Sequence, residues 1–334
     1  MRTPRDAGYF MPAEWAPHTR CWMAWPCHGD WWGGDAGLKA AGRAYADVAR
    51  AIARFEPVVM VARPEQAAEA RGLLGPDIAV IEAPLTDSWT RDTGPSFLVD
   101  GKGGLAGVDW GFNAWGLNYP DFAADAALAR RILAEAGAQR FIGPMIFEGG
   151  AISVDGQGTA LTTEQCLLNP NRNPHMTRED IEAALRDYLG IDRLIWLKQG
   201  LENDETDGHV DEVASFVAPG RVLILDSTDP ADPNTATLAE NRSILEAAGF
   251  EVLTVPQPAL RRDGPHGRIT TSYANFYIAN GGVIVPAYDD PMDREAEAVF
   301  RAAFPDRQVV MVPSLGIASG GGNIHCITQQ EPKP

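Results

Sequence analysis

Four dipeptides that turn a chain back on itself recur along this sequence at nearly constant spacing: Asp100-Gly101, Asp155-Gly156, Pro219-Gly220 and Asn280-Gly281. Their glycines stand 55, 64 and 61 residues apart. Each dipeptide closes a short apolar run (Phe97-Leu98-Val99, Ile152-Ser153-Val154, Phe216-Val217-Ala218, Tyr277-Ile278-Ala279) that reads as the first strand of a two-stranded hairpin. Stretches with helical periodicity follow the hairpins at 121–136, 177–189, 234–248 and 291–303. Each helix leads to an apolar strand, at 140–146, 193–197, 251–255 and 309–312. The order is β-β-α-β, four times over. A period above 50 residues specifies a ring or array of like units rather than two unlike domains.

The flanking segments contain the parts of a fifth unit. Residues 19–26 read as a strand ended by Pro26, and 35–54 as a helix with Leu38, Ala41, Tyr45, Val48, Ala49 and Ile52 on one face. Residues 56–62 form an apolar strand, 64–74 a helix opened by Pro64, and 78–83 another strand. With a C-terminal strand at 323–328, both ends of the chain would close the ring and protect its sheet edges. The expected class is α/β in a single domain over residues 1–334. Two segments break the pattern: 111–119, too rich in aromatics for a linker, and 258–267, a basic Pro/Gly-rich connection expected to be a mobile surface loop.

Apolar residues at 45% and charged residues at 22% describe an ordinary soluble globular chain. Residues 1–10 hold no signal-peptide core, no run is long enough to span a bilayer, and Cys21, Cys27, Cys166 and Cys326 fit no secreted disulfide framework. A cytoplasmic location is expected. A net charge of −17 excludes nucleic acid and anionic membrane as natural partners and suits a small cation. Oligomeric state, including a homo-oligomer, stays open.

In a ring of equivalent units, equivalent positions surround one axis. The residues entering each first hairpin strand are Trp89-Thr90-Arg91-Asp92, Phe147-Glu148-Gly149-Gly150, Asp204 to Asp211, Ser272-Tyr273-Ala274-Asn275 and, at the C-terminal piece, Gly322-Asn323 followed by Cys326. Asp92, Glu148, His209, Asp211 and Cys326 should therefore converge at one end of a central channel. Singly, each has an ordinary explanation: a capping aspartate, a loop glutamate, a core histidine, a buried thiol. Shared register is what joins them. His209 and Asp211 are read as i, i+2 neighbours on one strand face, and His325 as pointing away from Cys326 on the opposite face.

Two chemistries fit such a set. A metal hydrolase needs about three protein ligands, but no second histidine stands at ligand spacing from His209 and no Cys-x-x-Cys pair is present. The glycines 320–322 lack the Lys-Ser/Thr of a phosphate loop. The other chemistry acts on a guanidinium, a planar permanent cation whose donors match carboxylates bidentately. A free thiol with pKa ~8.5 is only a few per cent thiolate at neutral pH, and a bound cation beside it favours the thiolate. His209 could then protonate departing ammonia and activate water.

Long stretches carry a family resemblance: 11–15, 89–95, 112–115, 148–150, 161–174 with Asn169-Pro170-Asn171-Arg172-Asn173-Pro174, 200–211, 272–280 and 320–330. They resemble the agmatine deiminases of the pentein, or guanidino-group-modifying, superfamily. That resemblance implies a five-bladed pseudo-symmetric α/β propeller of β-β-α-β units, no metal and no organic cofactor. It implies hydrolysis of agmatine to N-carbamoylputrescine and ammonia through a covalent Cys326 thiouronium. Cys326 then resembles the nucleophile, His209 the general acid/base, Asp92 and Asp211 the guanidinium-binding carboxylates, and Glu148 the residue orienting the histidine. Trp89, Gly322 and Asn323 would lie against the substrate, and Glu205 near its distal amine. The connections after Trp115 and between Asp226 and Ser272 are shorter than in many members, which leaves peptidyl-arginine or arginine as alternative substrates. A free arginine would need a cationic clamp that no arginine here identifies. A guanidine-binding protein without catalysis is the alternative of another class.

Overall fold

Strand β1 (His18–Ala24) leads through the helix Asp35–Ala53 to β2 (Val58–Ala62), then through the helix Ala67–Leu74 to β3 (Ala79–Glu82). Four units of one design follow in the computed structural model, which describes residues 2–264 and 267–334. The first comprises β4 (Ser96–Val99), β5 (Leu105–Gly111), the helix Leu128–Glu135 and β6 (Gln139–Ile146). The second comprises β7 (Ser153–Val154), β8 (Thr159–Thr163), the helix Arg178–Leu189 and β9 (Arg193–Leu197). The third comprises β10 (Ala214–Ala218), β11 (Arg221–Asp226), the helix Thr235–Ala247 and β12 (Glu251–Pro256). A small hairpin, β13 (Arg261–Gly264) and β14 (Gly267–Ile269), occupies the basic connection expected at 258–267, and Pro265 and His266 of that segment lie outside the described residues. The fourth unit comprises β15 (Tyr277–Ala279), β16 (Gly282–Ala287), the helix Asp293–Ala303 and β17 (Gln308–Pro313), and β18 (Gln329–Pro332) comes last.

In every unit the hairpin is antiparallel and the third strand pairs parallel with the second. A parallel return needs a crossover, and the helix supplies it. β18 pairs antiparallel with β1 (Cys21 opposite Gln330), and β1 pairs parallel with β2 (Met23 opposite Met60). The order β18-β1-helix-β2 thus repeats the unit from the two ends of the chain, with β3 added at its edge. The strands form five sheets of three or four strands plus the two-stranded hairpin, and none of these sheets closes on itself.

Local chemistry explains the boundaries. Thr177 accepts from the Asp180 amide while the Asp180 carboxylate accepts from that of Thr177, so two orphan donors are satisfied at the start of the helix Arg178–Leu189. Gly190, at φ 77, ends it. Ile181, Leu185 and Leu189 face inward at i, i+4 and i+8, each stabilising the packing by roughly 1.5–3 kcal/mol. In the helix Asp35–Ala53 the expected stripe is buried from Ala41 to Ile52, with Leu38 partly covered. No helix among the described residues is long and apolar enough to cross a membrane.

Burial grades across each sheet. First strands such as β4 and β15 are buried throughout, whereas third strands such as β6 and β12 are largely half-exposed or exposed. The turns that enter the first strands therefore sit inside the protein. They are Thr90–Thr93, Gly149–Ala151, Val210–Glu212, the turn at 273–275 and the turn at 324–327.

Two expected strands are turns instead. Residues 323–328 do not extend, because Asn275 Oδ1 takes the amides of His325 (2.8 Å) and Cys326 (3.2 Å) while the Thr328 hydroxyl donates back to the Ile324 and His325 carbonyls. Those donors and acceptors are lost to a ladder, and the strand begins only at Gln329. Likewise, His209 precedes a 3-10 turn over Val210–Glu212, its amide bound to the Thr206 hydroxyl at 3.1 Å. The strand-face relation expected for His209 and Asp211, and the alternation expected for His325 and Cys326, do not apply.

Candidate active site

The five turns place their side chains around one point, which Gly150 marks. A Cβ on Gly150 would lie 2.5 Å from His209 Nδ1 and 3.0 Å from both Asp211 Oδ2 and Asp92 Oδ1. The missing methyl is what lets the three groups meet, and the Gly150 amide donates to Asp92 Oδ1 at 2.9 Å. Asp211 Oδ2 is 3.8 Å from Cys326 Sγ. Glu148 Oε2 is 3.8 Å from His209 Nε2, and Asp92 Oδ2 is 3.8 Å from His209 Nδ1. Asp92, Glu148, His209, Asp211 and Cys326 are thus brought together as the repeat register anticipates. All five are buried.

Each is held from behind. Trp115 Nε1 donates to Asp92 Oδ2 at 2.9 Å, from a loop in which Ala114, Trp115 and Leu117 adopt positive φ. The expectation that 111–119 is more than a linker rested on its aromatics, and its contact to Asp92 supplies the reason. Arg172 Nε donates to Glu148 Oε1 at 2.9 Å, and the rest of its guanidinium spans Asp207 and the Thr206 carbonyl at 2.8 Å. Arg172 therefore ties Glu148 to the loop that carries Glu205 and His209. His325 reaches Asp211 Oδ2 with Nδ1 and Glu14 Oε1 with Nε2, both at 2.8 Å. Burial would raise the Glu14 carboxyl, but the charges on His325 and Arg91 outweigh it and hold its pKa at about 2.

The electrostatics are lopsided around the thiol. Burial, then the carboxylates of Asp211, Glu212 and Asp92, push the Cys326 thiol well above its ordinary pKa. Glu212 Oε1 lies 3.5 Å from Sγ, and Asn275 Nδ2 lies 3.2 Å from it. Burial and the neighbouring Asp211 raise the Glu212 carboxyl as well. His209 moves the other way: burial lowers its pKa, but the Asp92 charge and contacts to Cys166 and Glu148 raise it well above the usual value. Glu148 stays ionised because His209 and Arg172 overcome its burial. Burial raises Asp92, opposed by the charge on His209.

A narrow cavity of about 30 Å³ reaches Cys326 from the surface between Trp89, Asp92, Glu205 and Gly322. Trp89 is fixed by its indole N–H on Asp87 Oδ2 at 2.5 Å and by stacking on Trp32. A Cβ on Gly322 would lie 2.6 Å from the Trp89 ring and 3.1 Å from Sγ. Glu205 stands at the mouth, its carboxylate taking the Tyr119 hydroxyl at 2.8 Å and its backbone carbonyl the Asn118 side-chain Nδ2 at 2.9 Å. Asn323 differs from the other expected contacts. Its side chain is spent on Tyr288 (2.6 Å), Glu212 (3.1 Å) and the Thr270 carbonyl (3.0 Å), so it positions Glu212 from behind the thiol. Glu212, Arg172, Trp115 and Asn275 have site contacts that the sequence assigned to none of them, although Arg172, Trp115 and Asn275 lie in the quoted motifs. Glu212 is the sequence neighbour of Asp211.

Two aspartates, a thiol and an imidazole around one point make an arrangement suited to guanidine hydrolysis. Residues 10–332 match the Porphyromonas-type peptidyl-arginine deiminases, and the chain belongs to that family. It is 48% identical to the agmatine deiminase of Stutzerimonas stutzeri, over 99% of this chain and 98% of that one. Among solved structures it resembles the agmatine deiminase of Enterococcus faecalis, with a TM-score of 0.94 and 37% identity over 100% and 98% of the two chains. The substrate-bound agmatine deiminase of C. jejuni superposes with a TM-score of 0.90 and 26% identity, over 97% and 96%. The fold is the mixed α/β fold of that group.

Proposed function

We propose that this protein is an agmatine deiminase, hydrolysing agmatine to N-carbamoylputrescine and ammonia through a covalent adduct on Cys326. The observation that carries the reading is the acidic surround of a single thiol. Asp92 and Asp211 flank a site that Cys326 Sγ borders and His209 faces, and every carboxylate there opposes the thiolate until a cation enters. A bound guanidinium supplies that cation between the two aspartates. The thiolate then adds to the central guanidine carbon, forming a C–S bond. One C–N bond breaks, and the proton on His209 leaves with the nitrogen as ammonia. Neutral His209 next takes a proton from water, whose oxygen attacks the thiouronium carbon. Collapse breaks the C–S bond, releasing the carbamoyl product and the thiolate. Glu148 holds the imidazole, and Glu205 at the mouth faces the distal ammonium of agmatine. The likeness to proteins named agmatine deiminase, at up to 48% identity among those compared above, supports agmatine over a peptide.

We read the five units as blades of one propeller-like domain in a cytoplasmic enzyme that needs no metal for turnover. Ammonia release from agmatine, arginine and an arginyl peptide tests the assignment. Agmatine should be turned over fastest. Preference for the arginyl peptide would transfer the substrate to the other named activity of the family, and silence with all three would leave a binding protein.

A further inference from the structure

Deimination as described uses Glu148 and His209 but leaves one neighbour without a task. Cys166 is fully buried in the short helix Glu164–Leu167, and its Sγ, a ring nitrogen of His209 and a carboxylate oxygen of Glu148 all lie within 4.8 Å of one another. Glu148 Oε2 and both His209 nitrogens are buried and make no hydrogen bond. Three donors, one each of sulfur, nitrogen and oxygen, therefore lie close together with no hydrogen bond on the nitrogen or on that oxygen. Zinc–ligand bonds of about 2.0–2.3 Å imply donor–donor edges of about 3.3–3.7 Å in a tetrahedron. The observed 3.8 Å between His209 Nε2 and Glu148 Oε2 is already close to such an edge. A thiolate in the set selects soft or borderline cations over magnesium and calcium.

We propose that Glu148, Cys166 and His209 form a binding site for a thiophilic divalent cation such as Zn2+, and that filling it stops catalysis by occupying His209. On binding, a metal–sulfur bond replaces the thiol S–H and a metal–nitrogen bond takes the imidazole lone pair. The thiol proton and any proton on that nitrogen pass to solvent, and no electron is transferred. Arg172, 2.9 Å from the other Glu148 oxygen, opposes a dication, while Asp92 and the Asp207 that pairs with Arg172 offset it. The site differs from the nucleophile in its sulfur, which is what makes it testable. The binding half stands on geometry alone, and the inhibitory half rests on the proposed deimination.

The test is titration of the metal-free protein with Co2+ and Zn2+, in the absence of substrate. The readouts are the near-ultraviolet sulfur-to-cobalt charge-transfer band and X-ray absorption of the zinc form. One equivalent should bind with one sulfur among its ligands, and Cys326→Ser should keep both the band and the sulfur. Cys166→Ser and Cys166→Ala should lose the band and weaken Zn2+ binding more than about a hundredfold, since even outer-shell partners are worth 10–100-fold. Because the Cys326→Ser arm keeps Cys166 intact, the site is tested even if the Cys166 variants fold poorly. No metal uptake, or a band that disappears in Cys326→Ser and persists in Cys166→Ser, overturns the proposal. Zn2+ should also inhibit ammonia release by the unmodified protein. If wild-type protein releases no ammonia at all, the deiminase reading fails while the titration still reports on the metal site.

Discussion

Two buried histidine–glutamate pairs in this fold have opposite fates. His18 and Glu56 sit where β1 meets the fourth unit, and every polar atom there is engaged. His18 Nδ1 lies 3.1 Å from both Glu56 oxygens and Nε2 2.9 Å from the Glu14 carbonyl, while Glu56 also takes the Tyr277 hydroxyl at 2.6 Å and the Asn280 amide at 2.8 Å. His209 and Glu148 stand 3.8 Å apart, with both ring nitrogens and Glu148 Oε2 unbonded. A buried polar atom without a partner costs about 1–3 kcal/mol, so the second pair is kept at the expense of stability. The satisfied pair fastens the N-terminal strands to the fourth unit. The unsatisfied one leaves polar atoms without partners beside the cavity.

Substitutions can break this contrast from either side, in decreasing order of effect. Cys326→Ser should abolish ammonia release, by at least about a thousandfold, with the thermal midpoint almost unchanged. Such losses are usual when a nucleophile is removed, and appreciable turnover by the serine variant would move the nucleophile elsewhere. Glu56→Ala leaves His18, Tyr277 and the Asn280 amide without their acceptor, and should cost about 3–5 kcal/mol of folding free energy. The activity per folded molecule should hold, as judged by denaturant titration alongside ammonia release. A loss of kcat with full stability would mean that the satisfied pair serves the reaction after all. Gly150→Ala pushes a methyl against His209 Nδ1 and should lower kcat/KM about a hundredfold, as displacements near 1 Å in a catalytic set do. If its kinetics are normal, the packing around Gly150 gives way cheaply and the convergence is looser than described. Glu205→Gln should act mainly on binding, raising KM for agmatine about ten- to a hundredfold with little change in kcat. A guanidine with an uncharged alkyl tail should be almost indifferent, and equal damage to both substrates would show that Glu205 does not meet the amine.

The hairpins were legible because turn chemistry is local. Gly101, Gly156, Gly220 and Gly281 all adopt positive φ between 67° and 79°, where glycine carries no steric penalty. Their spacing exposed the repeat, and the repeat put Asp92, Glu148, His209, Asp211 and Cys326 in one register. What lay hidden depended on side chains that rewrite the backbone. Asn275 captures two amides and the Thr328 hydroxyl bonds back into the same turn, so the segment around Cys326 is a turn and period-two alternation misplaces His325. A similar turn swings Glu212 toward the thiol. Cys166 and Arg172 meet His209 and Glu148 only across different loops, and no spacing in one chain encodes such a meeting.

The pairing of β18 with β1 bears on the order in which the protein is assembled. Cys326 lies in the turn three residues before β18, and the strand that β18 pairs with is some 300 positions away along the chain. The four hairpin units close over far shorter loops, and short loops form before long ones. A folding intermediate with those units complete would display Asp92, Glu148, His209 and Asp211 with no nucleophile among them. Chemical competence would then arrive with the final seam, so that recovery of turnover during refolding lags the recovery of helix and sheet.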